Sequence, residues 1–260
     1  MLKKRVIPKL LVTEKSIGDE KFHILVTTKE FSKKISIGDP VSQAKIYEAN
    51  FADELLVLCI DNKPLKENPG FVSLVKKLSK NVFMPLCIGG GVKNVDDFDL
   101  LLAAGSDKVS INSLLMKDQS IVKEASKNFG SQCVVASVDF IKVDNKYKVF
   151  DRNTLSISEF ELIDFCKNLQ DIGVGEIHIC DMGRDGSSFG LDIKAFSKLA
   201  DNLEIPLIIS GGIGMAQDIV EGFISCKVDA IAIGTYFCLR DQNPMQTRAH
   251  VKNAGIPIRI

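Results

Sequence analysis

Residues 205–214 have the sequence IPLIISGGIG, and residues 84–92 have the similar sequence MPLCIGGGV. Each stretch is a run of apolar residues that ends abruptly in consecutive glycines. Such a run predicts a buried strand that leads into a glycine turn. The glycine pair begins at Gly90 in one stretch and at Gly211 in the other, an interval of 121 residues. These two stretches indicate an internal repeat of about half the chain.

The similarity between the halves extends beyond the glycines. SDKVSINS at residues 106–113 corresponds to KVDAIAIGT at residues 227–235, and DELLVLCID, which contains Glu54, corresponds to GEIHICDM, which contains Glu176. A period of half a chain differs from a solenoid repeat, which recurs every few tens of residues. One half of the protein is therefore interpreted as a diverged copy of the other.

Strand and helix patterns alternate along the chain. The predicted strands are Arg5–Leu11, Glu54–Asp61, Pro85–Gly89, Lys108–Asn112, Cys133–Asp139, Glu176–Asp181, Pro206–Ser210 and Ala230–Gly234. Strict alternation predicts a parallel sheet, and about eight such units close into a (β/α)₈ barrel. The expected fold is an α/β TIM barrel with a two-fold half-barrel repeat, as a single domain over residues 1–260. A doubly wound open sheet is the alternative, and two matched halves favour the closed barrel.

Composition excludes several classes of function. The 260 residues carry 33 Lys and Arg against 33 Asp and Glu, so no overall charge attracts nucleic acid or an anionic membrane. No segment reaches the length of an apolar membrane span. The seven cysteines contain no C-x-x-C pair, and the three histidines are scattered, so no metal site or cofactor is expected. Unpaired cysteines are typical of a reducing, cytoplasmic location.

Two connections are long for this fold. Residues 13–37 alternate polar and apolar side chains around His23 to Thr28, which predicts a β-hairpin or flap over the top of the barrel. Residues 140–156 contain DNKYKVFDRN and predict a second hairpin at the same face. An ordered surface hairpin without a function remains the alternative for the first connection.

Glycines and hydroxyl groups collect where the predicted strands end. Active sites of (β/α)₈ barrels lie at this face, and glycine N–H groups together with a hydroxyl suit a phosphate dianion. The predicted phosphate-binding residues are Gly90, Gly91, Asn112, Ser113, Asp185, Gly186, Ser187, Gly211, Gly212, Gly234 and Thr235. Two matched sites indicate a ligand that is phosphorylated at both ends. Simple turn chemistry is the alternative, and the repeat favours binding.

The motifs resemble a known family over nearly the whole chain. KRVIPKL, DELLVLCID, MPLCIGGGV, SDKVSIN, FGSQCVVASVD, GEIHICDMGRDGSSFG, ISGGIG and AGIPIRI are similar, in order and spacing, to the HisF cyclase subunit of imidazole glycerol phosphate synthase. The resemblance implies a barrel that binds a bis-phosphorylated ribonucleotide at its top. It also implies a HisH-type glutaminase on the base, with ammonia passing through the barrel.

The cyclase chemistry of this family needs one carboxylate at the end of strand 1 and one at the end of strand 5, acting as general acid and base. Asp139 supplies the second. Where the family has C-L-D-V, this chain has Lys9-Leu10-Leu11-Val12, which puts Leu11 at the position of the first carboxylate. The internal repeat also pairs Leu11 with Asp139. Asp181 is a weak candidate for a replacement acid, because alternate residues of a strand point to opposite sides.

The base of the barrel keeps the family pattern. Four charged residues begin strands 1, 2, 4 and 6 and match the ring of alternating charges at the ammonia entrance of the family: Arg5, Glu54, Lys108 and Glu176. A structural plug of ion pairs is the alternative. Asp107 matches a residue that the family presents to its glutaminase.

Three functional hypotheses remain open. The preferred one is a HisF-like paralogue that docks a glutaminase and conducts ammonia without cyclisation, the ammonia going to a third protein that amidates a surface sugar. In that case residues 13–37 are a candidate dock. The second is an active histidine-pathway cyclase with a displaced acid, either Asp181 or a residue of the flap. The third is a scaffold without catalytic activity.

Overall fold

The computed structural model describes residues 3–259, so residues 1, 2 and 260 of the expected domain lie outside the described part. The strands are β1 (Arg5–Ile17), β2 (Glu20–Lys29), β3 (Lys33–Gly38), β4 (Leu55–Cys59), β5 (Leu86–Gly89), β6 (Lys108–Ile111), β7 (Val134–Val143), β8 (Lys146–Asp151), β9 (Ser156–Glu161), β10 (Glu176–Asp181), β11 (Leu207–Ser210) and β12 (Ala230–Ile233). The helices are α1 (Pro40–Ala49), α2 (Pro69–Asn81), α3 (Val95–Ala103), α4 (Ser120–Phe129), α5 (Leu162–Asp171), α6 (Ile193–Ala200), α7 (Ala216–Ser225), α8 (Thr235–Leu239) and α9 (Pro244–Asn253).

Eight parallel strands form a closed barrel. Their order is β1, β4, β5, β6, β7, β10, β11 and β12, and β12 pairs again with β1. Helices surround the barrel, because each crossover between parallel strands must return along the outside of the sheet. The prediction of a (β/α)₈ TIM barrel is confirmed.

Side chains along β1 alternate between the interior of the barrel and the surrounding helices. Val6 and Leu10 join the large core between strands and helices, whereas Ile7 faces the interior. A small apolar cluster fills the lower interior: Ile7, Leu56, Cys87, Val135, Ile208, Ala230 and Ala232. The period of two therefore places Arg5, Lys9 and Leu11 in the interior as well, at successively higher levels.

The two halves share local geometry as well as sequence. Asp97 Oδ2 accepts a hydrogen bond from the Lys93 N–H at 2.7 Å, and Asp218 Oδ2 accepts one from the Gly214 N–H at 2.8 Å. Both pairs are related by the 121-residue interval. Each aspartate ties the glycine turn after a strand to the first turn of the following helix. The same hydrogen bond therefore fixes the glycine turn in each half. We call these turns the glycine edges of the barrel: Gly90–Gly91 in the first half and Gly211–Gly212 in the second.

The first long connection forms a three-stranded antiparallel ribbon. β1 continues past the barrel to Ile17, pairs with β2, and β2 pairs with β3. The hairpin prediction is confirmed, but the predicted end of strand 1 at Leu11 was wrong by six residues, because pairing with β2 extends it. The second connection forms the expected hairpin from β7, β8 and β9. Among residues 3–259, no helix combines the length and apolar character that crossing a membrane requires.

Candidate functional site

A cavity of about 360 Å³ opens at the C-terminal ends of the parallel strands. Its walls include the end of β1, the loop after β4, the glycine turn after β5 and the second hairpin. This is the face at which (β/α)₈ barrels carry their active sites. The cavity is large enough to receive a small phosphorylated molecule.

The glycine edge of the first half lines this cavity. Gly90 has φ +115° and Gly91 has φ +76°, and a Cβ atom on Gly90 would lie 2.4 Å from the carbonyl oxygen of Cys59. Only glycine allows the chain to turn so close to β4. Asn112 and Ser113 line the same cavity. The four phosphate-binding residues predicted in this half therefore lie around one space.

Asp139 is buried at the end of the barrel portion of β7. Asn112 Nδ2 donates a hydrogen bond to Asp139 Oδ2 at 2.9 Å, and Arg152 Nη1 lies 3.7 Å from the same oxygen. Burial raises the pKa of Asp139, and the nearby Arg152 cation and Asn112 amide oppose that effect without cancelling it. A buried carboxyl group with a raised pKa is suited to proton transfer.

Leu11 lines the same cavity on β1, and its side chain can neither donate nor accept a proton. Among residues 3–259, the carboxylates that line the cavity are Asp61 and Asp139. Asp61 is already engaged: the Thr13 hydroxyl donates to Oδ1, and the Glu14 N–H donates to Oδ2 at 2.7 Å. Asp61 was not predicted as a site residue, although it lies only two residues after the end of β4.

Asp181 lies on the outer face of the barrel, since Glu176, His178 and Cys180 alternate into the interior. Its carboxylate is 3.5 Å from Arg184 Nε. Burial raises the pKa of Asp181 to about 6. Asp181 and Asp139 therefore lie on opposite sides of the barrel wall. This agrees with the expectation from strand alternation, which disfavours Asp181 as a replacement acid.

The glycine edge of the second half leaves little free space. The space beside Gly211, Gly212 and Gly234 has a volume of only about 20 Å³, roughly that of one water molecule. The ribbon covers it: the Thr27 and Thr235 hydroxyls lie 2.7 Å apart, and the Glu30 N–H donates to the Asp185 carbonyl. Asp185 and Gly186 line this small space, whereas the Ser187 hydroxyl is turned to the Arg184 carbonyl. The two predicted phosphate sites are therefore unequally open.

Lys9 lies between the two glycine edges, buried in the barrel interior. Its Nζ is 3.3 Å from Asp185 Oδ1. Burial lowers the pKa of Lys9, but the Cys180 sulfur and the Asp185 and Asp139 carboxylates together outweigh this effect, so the pKa lies above its usual value. Lys9 was not predicted to be a site residue, although a lysine that shares the inward-facing side of a strand with Ile7 and Leu11 indicates a buried charge that needs a partner.

A neutral polar layer lies beside Lys9. His178 Nδ1 forms a hydrogen bond with the Ser137 hydroxyl, and His178 Nε2 forms one with the Ser210 hydroxyl, each at 2.9 Å. Burial, with the Lys9 cation, lowers the pKa of His178 to about 3, so the imidazole is neutral at physiological pH. His178, Ser137 and Lys9 form part of the cavity floor.

Four charged side chains form a closed ring at the opposite end of the barrel. Arg5 contacts Glu54 at 2.7 Å and Glu176 at 2.6 Å, and Lys108 contacts the same carboxylates at 3.0 and 2.7 Å. Burial raises the pKa of Glu176, but the Arg5 and Lys108 cations outweigh this and hold it below its usual value. The predicted ring residues are therefore in mutual contact.

Asp107 is exposed at this same end, next to Lys108. Its Oδ2 accepts a hydrogen bond from the Leu86 N–H at 2.8 Å. The repeat carries an equivalent bond, from the Leu207 N–H to Asp229 Oδ2 at 3.0 Å. Asp107 thus has a structural contact of its own and also presents a carboxylate at the base.

One further cluster was missed in the sequence. His23, Cys59 and Asp61 place a ring nitrogen, a sulfur and a carboxylate oxygen within 4.8 Å of one another. No metal site was expected because His23 lies far from the other two in sequence. Their proximity depends on the ribbon folding onto β4, which no local spacing indicates.

Comparisons with known proteins agree with the architecture. A sequence profile of the family described as "Histidine biosynthesis protein" matches residues 16–242. The chain is 38% identical over 261 residues to the Prochlorococcus marinus (strain MIT 9313) protein named "Putative imidazole glycerol phosphate synthase subunit hisF2", covering 100% of this chain and 99% of that one. The chain belongs to the histidine biosynthesis protein family, as a HisF-like relative of imidazole glycerol phosphate synthase subunits.

Proposed function

We propose that this protein is the barrel subunit of a glutamine amidotransferase complex. A HisH-type glutaminase docks on the base, and ammonia passes through the barrel to the cavity at the top. The observation that carries the proposal is a contrast between the two ends. The base has a closed ring of four charges, whereas β1 presents Leu11 to the cavity in place of a carboxylate.

The interior suits neutral ammonia better than ammonium. Above the ring, ammonia meets apolar side chains such as Ile7 and Ile208, where an unpaired ion would be costly. It then reaches the neutral polar layer around His178. Passage requires the ion pairs of the ring to part, and we assign that opening to contact with the glutaminase.

Cyclisation is absent in this proposal because, in the described part of the chain, no second free carboxylate lines the cavity beside Asp139. Asp139 can transfer a proton, but Leu11 cannot, and Asp61 is held by Thr13 and Glu14. The ammonia is then available to a third protein, which we propose amidates a surface sugar, with the β2–β3 ribbon as its dock. All seven cysteines are free thiols, which suits a cytoplasmic location.

The open glycine edge is the proposed site for a phosphorylated ligand. Gly90, Gly91, Asn112 and Ser113 surround the larger cavity, and Lys63 and Lys93 also line it. A phosphate there gains both N–H donors and cations. The second edge has only a small space beside the ribbon, so we propose that one phosphate group binds, at the first edge.

The direct test mixes the purified protein with a HisH-type glutaminase and measures glutamine hydrolysis. We expect stimulation by this protein, and a loss of stimulation in Asp107→Lys, which reverses a charge at the base. Asp99→Lys, an exposed change on helix α3, is the matched control and should stimulate normally. A lack of stimulation by the unaltered protein would favour the scaffold hypothesis.

An active cyclase is the second candidate function. The observation that favours it is Asp61, a carboxylate that lines the same cavity as Asp139. A rearrangement that frees Asp61 from Thr13 and Glu14 would give the cavity two proton-transfer groups. Cyclase activity that is lost in both Asp61→Asn and Asp139→Asn would support this candidate.

A further inference from the structure

Three potential metal ligands converge where the ribbon meets the barrel. His23 is on β2, Cys59 ends β4, and Asp61 follows two residues later. His23 Nε2 lies 3.8 Å from Asp61 Oδ2, and Cys59 Sγ lies 3.6 Å from the same oxygen. The three ligand atoms all lie within 4.8 Å of one another.

His23 provides an independent sign of a missing partner. Its side chain is only 2% exposed, and Nε2 has no hydrogen-bond partner among residues 3–259. A buried polar atom without a partner costs about 1–3 kcal/mol. The imidazole packs near Phe71, whose ring centroid is 5.7 Å away, and lies beside Gly70, where an added Cβ would be 3.4 Å from Cε1. Nε2 is therefore held facing the sulfur and the carboxylate.

The spacing suits a tetrahedral metal centre. Zinc–nitrogen, zinc–oxygen and zinc–sulfur bonds of about 2.0–2.3 Å put neighbouring ligands roughly 3.3–3.8 Å apart. The two separations measured from Asp61 Oδ2 already fall in this range. A thiolate and a carboxylate would also balance the charge of a divalent ion, while imidazole and thiolate disfavour Mg²⁺ and Ca²⁺.

Surrounding groups fix the ligands in place. The Thr13 hydroxyl and the Glu14 N–H orient the Asp61 carboxylate, and Asn68 Nδ2 lies 3.6 Å from Cys59 Sγ, positioned to donate to it. Hydrogen bonds of this kind orient the ligands in known metal sites. Asp61 Oδ2 retains a lone pair, since a carboxylate oxygen accepts more than one contact.

We propose that His23, Cys59 and Asp61 bind one divalent transition-metal ion of the zinc class. Cys59 and Asp61 also line the large cavity, so a fourth coordination position faces the space beside Leu11. The ion joins the ribbon to the barrel and fixes the ribbon over the cavity. This inference is independent of the proposed glutaminase partner.

Metal titration tests the proposal on the full chain. After removal of bound metal with a chelator, Co²⁺ should bind with one equivalent per chain and give the near-ultraviolet thiolate charge-transfer band and the visible bands of a tetrahedral site. Zn²⁺ should displace it. Cys59→Ser should remove the charge-transfer band, and His23→Gln should weaken binding at least tenfold. Cys133→Ser and His250→Gln, which alter residues outside the cluster, should bind as the unaltered protein does.

Thermal unfolding gives a second measurement if a variant folds poorly. Zn²⁺ should raise the melting temperature of the unaltered protein and of both control variants, because a ligand of the folded state stabilises it. The rise should be absent in Cys59→Ser. Absence of a cobalt–thiolate band in the unaltered protein, or a band that persists in Cys59→Ser, would overturn the proposal.

Discussion

Lys9 and Asp185 form a buried ion pair across the upper interior of the barrel, with Nζ 3.3 Å from Oδ1. The pair joins the inward face of β1 to the loop after β10, over a sequence separation of 176 residues. Thr28 of the ribbon adds a hydrogen bond to Asp185 Oδ2 at 3.0 Å. This contact links the barrel interior, the glycine edge of the second half and the ribbon.

Replacing one member of this pair should destabilise the protein strongly. Lys9→Met leaves the Asp185 carboxylate buried without its cation, for which we expect a loss of about 3–5 kcal/mol in the free energy of unfolding. The double variant Lys9→Met with Asp185→Asn should recover at least half of that loss. Urea denaturation measures both values. A Lys9→Met protein as stable as the unaltered one would contradict this account of the pair.

The ring at the base should also contribute to stability. Glu54→Gln leaves Arg5 and Lys108 to share Glu176, so we expect a loss of about 3 kcal/mol in the free energy of unfolding. Asp107→Asn, at an exposed position with one backbone hydrogen bond, should cost no more than about 1 kcal/mol. Equal effects of the two changes in denaturant titrations would show that the ring contributes no more than a surface contact.

The glycine edge of the first half should not tolerate a side chain. Gly90→Ala combines φ +115° with a Cβ atom 2.4 Å from a backbone oxygen, so a loss of more than about 3 kcal/mol is expected. Gly255→Ala is the matched control, because Gly255 has φ +81° and no atom within 4 Å of the added Cβ. It should cost only the conformational strain, about 1 kcal/mol. Thermal and chemical unfolding of the two variants gives the comparison.

Asp181 should make stability depend on pH. Burial raises the pKa of its carboxyl group from 3.8 to about 6, so the folded state holds a proton that the unfolded state has lost across this interval. Stability from this group is present below pH 4 and is lost as pH rises through about 6, by up to about 3 kcal/mol. Asp181→Asn should remove this dependence. An unchanged stability profile between pH 4 and 7 in the variant would contradict the raised pKa.

The barrel could be predicted because the sequence patterns that indicate its strands are local and occur in both halves of the chain. The repeated glycine edges and the alternating apolar runs fixed the positions of most strands, and the predicted strand Glu176–Asp181 coincides with β10. The ring at the base could also be predicted from the sequence, because its four residues begin strands and must meet at one end of a parallel barrel.

Contacts made by the ribbon could not be predicted. The small space at the second glycine edge depends on the contact between Thr27 and Thr235, which are 208 residues apart in the sequence, and no local pattern predicts that contact. The convergence of His23 with Cys59 and Asp61 likewise follows from the path of β2 over the barrel. Lys9 stands out in the sequence as a charged residue within an apolar strand, but its partner Asp185 could be identified only from the structure.

Leu11 faces the cavity in place of a carboxylate, so we expect the cavity to have no working pair of acid and base for cyclisation. The most direct measurement is turnover of the bis-phosphorylated ribonucleotide by the purified protein with ammonium salt and no glutaminase. We predict no turnover above that of Asp139→Asn. Turnover at the rate of ordinary cyclases, abolished in Asp139→Asn, would contradict the claim.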